Sequence, residues 1–92
     1  MVRRRVLVAG RVQGVFFRDS CERRAYAEGV TGWVANRADG KVEAVFEGEE
    51  AAVDRMVAWC RIGPSRAVVT GIEVHDEPPA GERGFRVRDA WS

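Results

Sequence analysis

The residues that offer chemistry in this sequence begin with the stretch GRVQGVFFR at positions 10–18. Gly10 and Gly14 permit a tight turn whose successive main-chain N–H groups can converge on an anion, and the helix start that follows adds unsatisfied donors and a partial positive charge. Arg18, at that helix start, supplies a planar, permanently charged fork that matches two phosphate oxygens at once. The stretch therefore reads as an anion cradle. It is not a Walker A loop, because no Gly-Lys-Ser/Thr follows, and it lacks the third glycine of a dinucleotide fingerprint. Cys21 comes after the loop instead of opening it, so the arrangement does not fit a phosphatase with a cysteine nucleophile. Cys21 and Cys60 form no Cys-x-x-Cys pair and read as free, partly buried thiols. His75 stands alone late in a strand, where it reads as a surface residue, and one such histidine supports no metal site.

Composition narrows the partners. A chain of 92 residues has the length of one domain, expected over 1–92, and its formal net charge of +1 lacks the cationic excess of a protein that binds nucleic acid through phosphates. Arg3, Arg4 and Arg5 lead into Val6, Leu7 and Val8, which makes them a solvated strand entrance. No apolar stretch nears the roughly 20 residues needed to span a bilayer, and the N-terminus lacks the pattern of a secretory signal. A cytoplasmic protein is expected.

The elements that must position the cradle follow from periodicity. A first strand around residues 6–8 precedes the glycine turn. A helix then runs to about Glu28, with Asp19 and Glu22 as its capping pair, Phe17, Cys21 and Ala25 as its apolar stripe and Gly29 as its stop. Two β-rich runs hinge at Asp39-Gly40, read as a tight turn with positive dihedrals at both residues. Val42, Ala44 and Phe46 alternate with Glu43 and Glu47. Val53, Met56, Val57 and Cys60 define a second helix over 49–60, ended by Gly63-Pro64. A fourth strand over 68–74 puts Val68, Thr70, Ile72 and Val74 on one parity. A short last strand turns Phe85 and Val87 inward. This order is the split βαβ, ferredoxin-like α+β sandwich: βαββαβ with a small terminal strand, two helices covering one face of a mainly antiparallel sheet. Trp33, Phe46 and Trp59 read as packing residues.

GRVQGVFFR, the later block GVTGWVANRADGKVEAVFEG and then WCRIGPSRAVV together resemble the acylphosphatase family, in the family's order and over essentially the whole chain. The resemblance implies a small enzyme that hydrolyses the carboxyl–phosphate anhydride of acyl phosphates without metal or organic cofactor. It makes Arg18 the phosphate-binding arginine and Asn36 the residue that orients the attacking water, with the backbone amides of Gln13, Gly14, Val15, Phe16 and Phe17 completing the cradle. Phe16 stands where a glycine is common, which alters the pocket mouth, and Glu28 replaces a usually apolar helix residue. The implied partner is a small acyl phosphate, with inorganic phosphate as product and competitive inhibitor, and no nucleic acid or membrane; a monomer is expected. The absence of an evident acid or base fits the reaction, because the carboxylate leaving group, with a conjugate-acid pKa of about 4, departs unprotonated. Two other readings remain at this point. One is an acylphosphatase-like domain that only binds a phosphate-bearing ligand or serves one carrier's carbamoyl phosphate. The other is a ferredoxin-like RNA-binding module, disfavoured because KVEAVFEG carries two acids and lacks the RNP1 pattern.

Overall fold

Alternation along the strands separates an apolar face from a charged one. The computed structural model describes residues 1–88, so the last four positions of the expected domain, 89–92, lie outside the described residues. The elements run β1 (Val2–Arg11), α1 (Phe17–Glu28), β2 (Thr31–Asn36), β3 (Val42–Gly48), α2 (Glu50–Cys60), β4 (Val68–Glu77) and β5 (Phe85–Arg88). They form one sheet in the order β4-β1-β3-β2-β5, antiparallel throughout except for the parallel pair β2–β5. Val6, Val8, Val34, Val42, Ala44, Phe46 and Phe85 point to the face covered by the helices, where Phe17, Cys21 and Ala25 of α1 and Val53, Met56, Val57 and Cys60 of α2 meet them. That layer is dry. The fold is the ferredoxin-like α+β sandwich expected from the order of elements.

Several local expectations are corrected. Helix α1 begins at Phe17, not with an Asp19 cap; its N-cap is Phe16 in the left-handed region (φ 64, ψ 24), no side chain caps it, and Asp19 sits in the first turn. The hairpin turn uses a positive φ only at Gly40 (φ 90), where Gly40 N–H donates to the Arg37 carbonyl at 3.1 Å, while Asp39 stays at negative φ. Asp39 serves the turn through its side chain instead, accepting from the Lys41 amide at 3.1 Å.

Strand β4 is longer than expected and changes parity. Ala9 pairs with Gly71 but Gly10 pairs with Val69, so Thr70 is the extra residue of a bulge. Val69 and Ile72 therefore both pack on the core, and Val68 is 55 % exposed. A single inward parity cannot survive an inserted residue. On the edge strand β5, Phe85 is buried but Val87 is exposed. Cys21 and Cys60 are both fully buried rather than partly so. Glu28, polar where an apolar residue was usual, joins the two helices: it accepts from Arg55 Nε of α2 at 2.7 Å and faces Arg24 one turn earlier in α1 at 3.7 Å.

Candidate active site

The loop that follows β1 is launched by a mismatch in strand length. Pairing of β1 with β3 ends at Val8↔Val42, whereas pairing with β4 continues past the bulge to Arg11↔Val68. Gly10 makes this possible: at φ 124 it lies so close to β4 that a Cβ would stand 2.1 Å from the Val68 carbonyl oxygen. Val12 and Val15 then anchor the loop in the core, while Gly14 and Phe16 are exposed. Phe17, buried, packs its ring against Trp59 at 5.1 Å and 58°, a contact worth about 0.5–1.5 kcal/mol beyond its buried area. That contact fixes the start of α1. Among the described residues, none of the amides of residues 13–17 donates a hydrogen bond to the protein.

A cavity of ≈ 200 Å³ opens at this point, lined by Val12, Gly14, Phe16, Phe17, Arg18, Asp19 and Asn36. It brings Arg18, from the first turn of α1, together with Asn36, the last residue of β2, across the top of the sheet. Arg18 Nη1 also lies 3.4 Å from the Arg88 carbonyl at the end of β5. Of the loop residues expected to contribute amides, Gly14, Phe16 and Phe17 line this cavity. Gln13 and Val15 instead line a second one of ≈ 530 Å³ with Arg11, Gly14 and Arg66.

The Gln13 side chain is the feature that sequence reading missed. Its Nε2 donates to the carbonyls of Arg37, at 2.7 Å, and Lys41, at 3.0 Å, both in the β2–β3 turn just beyond Asn36. Only the amide-bearing side chain in an otherwise apolar stretch hinted at it. Burial pushes the Cys21 thiol well above its usual value, with the adjacent Cys60 adding to the effect, so Cys21 is not poised as a nucleophile. Among the described residues no group of three or more His, Cys, Asp or Glu is arranged to hold a metal ion. No helix among them is long and apolar enough to cross a membrane.

The opposite face of the sheet holds charges that are mutually paired. Arg3 bridges Glu47 and Glu77, each at 3.1 Å, and Glu82 at 3.2 Å. Arg5 joins Glu77 (3.1 Å) to Glu43 (3.3 Å), and Glu43 continues to Arg37. Glu47, only 4 % exposed, also accepts from the amides of Ala80 and Gly81 at 2.9 Å, which ties the 78–84 loop down onto the sheet. The Ala80 amide, then Arg3 and the Gly81 amide, hold its carboxyl below the usual carboxylate range against the opposing effect of burial. Arg4, on the helix side, pairs with Glu50, Asp54 and Asp76. The arginine run expected to be simply solvated is thus an ion-pair network.

On this small α+β sandwich one cavity gathers residues of the loop after β1, one guanidinium and one carboxamide. A sequence profile of the acylphosphatase family matches residues 4–87. The acylphosphatase of Rubrobacter xylanophilus is 62% identical over 91% of this chain and 77% of its own. That of Roseiflexus sp. is 54% identical over 95% of each chain. The crystal structure of acylphosphatase from Bacillus subtilis superposes with a TM-score of 0.92 at 37% identity, covering 96% of this chain and 99% of its own. The chain belongs to the acylphosphatase family.

Proposed function

We propose that this enzyme, an acylphosphatase by family, hydrolyses acyl phosphates by holding the phosphoryl group between Arg18 and the amides of residues 13–17 while Asn36 aims a water at phosphorus. Arg18 neutralises two phosphoryl oxygens in a bidentate contact, and the amides complete a set of donors that need not reorganise as charge moves in the transition state. The Asn36 carboxamide suits the water because it can both donate and accept without repelling the anion. The water oxygen bonds to phosphorus in line with the departing oxygen. The P–O bond to the acyl group breaks, its electron pair leaves on the carboxylate, and the water proton passes to a phosphoryl oxygen, giving carboxylate and inorganic phosphate. No general acid is required, since the leaving carboxylate is a weak base.

The observation that carries this reading is a cavity lined by both Arg18 and Asn36, beside amides that have no acceptor among the described residues. On the same reading inorganic phosphate competes with substrate, and the enzyme works as a monomeric single domain in the cytoplasm. The deciding experiment measures release of phosphate from a simple acyl phosphate in the presence of a chelator, with a phosphate monoester as control. Rapid cleavage of the acyl phosphate alone is expected; equal cleavage of both, or of neither, rejects the mechanism.

A further inference from the structure

Arg18 and Asn36 stand on segments that the sheet does not hold together. Strand β3 lies between β1 and β2, and its pairing ends at Val8↔Val42 on one side and Asn36↔Val42 on the other. Beyond Val42 the phosphate loop and the β2–β3 turn extend without a shared ladder. Asn36 is the last residue of β2, and the hairpin tip beyond it is closed on itself by Arg37 N–H to the Lys41 carbonyl at 2.8 Å and Gly40 N–H to the Arg37 carbonyl at 3.1 Å. Among the described residues, the two bonds from Gln13 Nε2 are the only hydrogen bonds that join residues 12–16 to residues 36–41. They land on the carbonyl of Arg37, the residue bonded to Asn36, and on that of Lys41, which also accepts from Arg37 N–H at 2.8 Å.

We infer that the Gln13 side chain is a positioning residue, which fixes Asn36 relative to the phosphate loop by donating both amide hydrogens to the two carbonyls of the β2–β3 turn. This rests on the division of labour between Arg18 and Asn36 proposed above. The side chain suits the task. Two carbonyl acceptors need two hydrogens on one atom, which the carboxamide nitrogen carries and a carboxylate would not. Asparagine would place that nitrogen one methylene short. The water that Asn36 orients must lie in line with the leaving oxygen, so a displacement of the turn by about 1 Å costs turnover by up to roughly a hundredfold while leaving the phosphate contacts in place.

The test uses Gln13→Met, which keeps the length and removes the donors without adding charge, and Gln13→Ala as a second variant. Each is made in the wild-type and the Asn36→Ala backgrounds. Thermal melts establish that the proteins fold, and kcat, KM and the inhibition constant of inorganic phosphate are then measured. The expected result is a fall in kcat of roughly ten- to hundredfold in the wild-type background, an inhibition constant unchanged within about twofold, and little further loss of kcat when Asn36 is already alanine. An equal loss in both backgrounds, an unchanged kcat, or phosphate affinity lost in step with turnover overturns the inference. If Asn36→Ala itself turns over like wild type, both the water-orienting reading and this one fall. An Asn36-dependent reaction with no coupling to Gln13 sinks only the latter.

Discussion

The open face of the sheet and the loop at its end use arginine and main-chain amides in opposite ways. On the open face Arg3 and Arg5 meet carboxylates, and the amides of Ala80 and Gly81 are taken by Glu47. At the loop the amides of residues 13–17 meet no protein acceptor among the described residues, and the residue that ends the loop, Phe16, holds an unfavourable backbone conformation. One region pairs its donors within the protein, and the other leaves its main-chain donors without an acceptor among the described residues. The lesson is that charge content alone does not mark a site; the balance of donors and acceptors within the protein does.

That contrast can be broken by showing that either region does the other's work. The largest effect belongs to Arg18→Lys, which should lower kcat/KM by about a hundred- to thousandfold because an ammonium cannot form the fork, with little change in melting temperature. Steady-state kinetics beside a melt would expose the opposite pattern. Next, Asn36→Ala should reduce kcat roughly a hundredfold and leave inhibition by inorganic phosphate intact. A collapse of phosphate affinity would move Asn36 from aiming water to gripping the anion.

On the open face, Glu47→Gln should cost about 1–3 kcal/mol of stability by chemical denaturation and leave kcat unaltered. Because the folded state holds this carboxyl below its unfolded value, its contribution is fully present above about pH 4.3 and is lost as pH falls through the folded value. Denaturation curves against pH should therefore show wild type and variant converging in acid. The smallest effect sharpens the comparison. Phe16→Gly removes a left-handed L-residue and should stabilise the fold by about 1 kcal/mol or less. A gain there, read from the denaturation midpoint, would show that the loop carries strain that the open face does not.

The order of elements and the helix stripes were legible because each repeats over several residues: Val53, Met56, Val57 and Cys60 form the buried face of α2 as their spacing predicts. The Thr70 bulge was not legible, since nothing in the run from Val68 to Val74 records that Thr70 finds no partner on β1. The start of α1 was misread for a related reason. Asp19 and Glu22 have the spacing of a capping pair, yet the helix begins earlier with no side-chain cap, at the loop whose amides have no acceptor among the described residues. For the site, residue type and the family motif brought attention to Arg18 and Asn36, and both line one cavity. The Gln13 contacts join residues 24 and 28 positions apart, a separation at which a single sequence carries no periodic signal.

Strand β5 gives the molecule a particular order of completion. It joins β2 in parallel, its Phe85 ring stacking on Phe46 at 5.9 Å while the Gly84 carbonyl accepts from Gly32 N–H at 2.9 Å, and its far end brings the Arg88 carbonyl beside Arg18. During synthesis these residues leave the ribosome after every other described element. A nascent chain can assemble both helices and four strands and still lack the carbonyl that stands beside Arg18, so among the described elements β5 completes the surroundings of that guanidinium last.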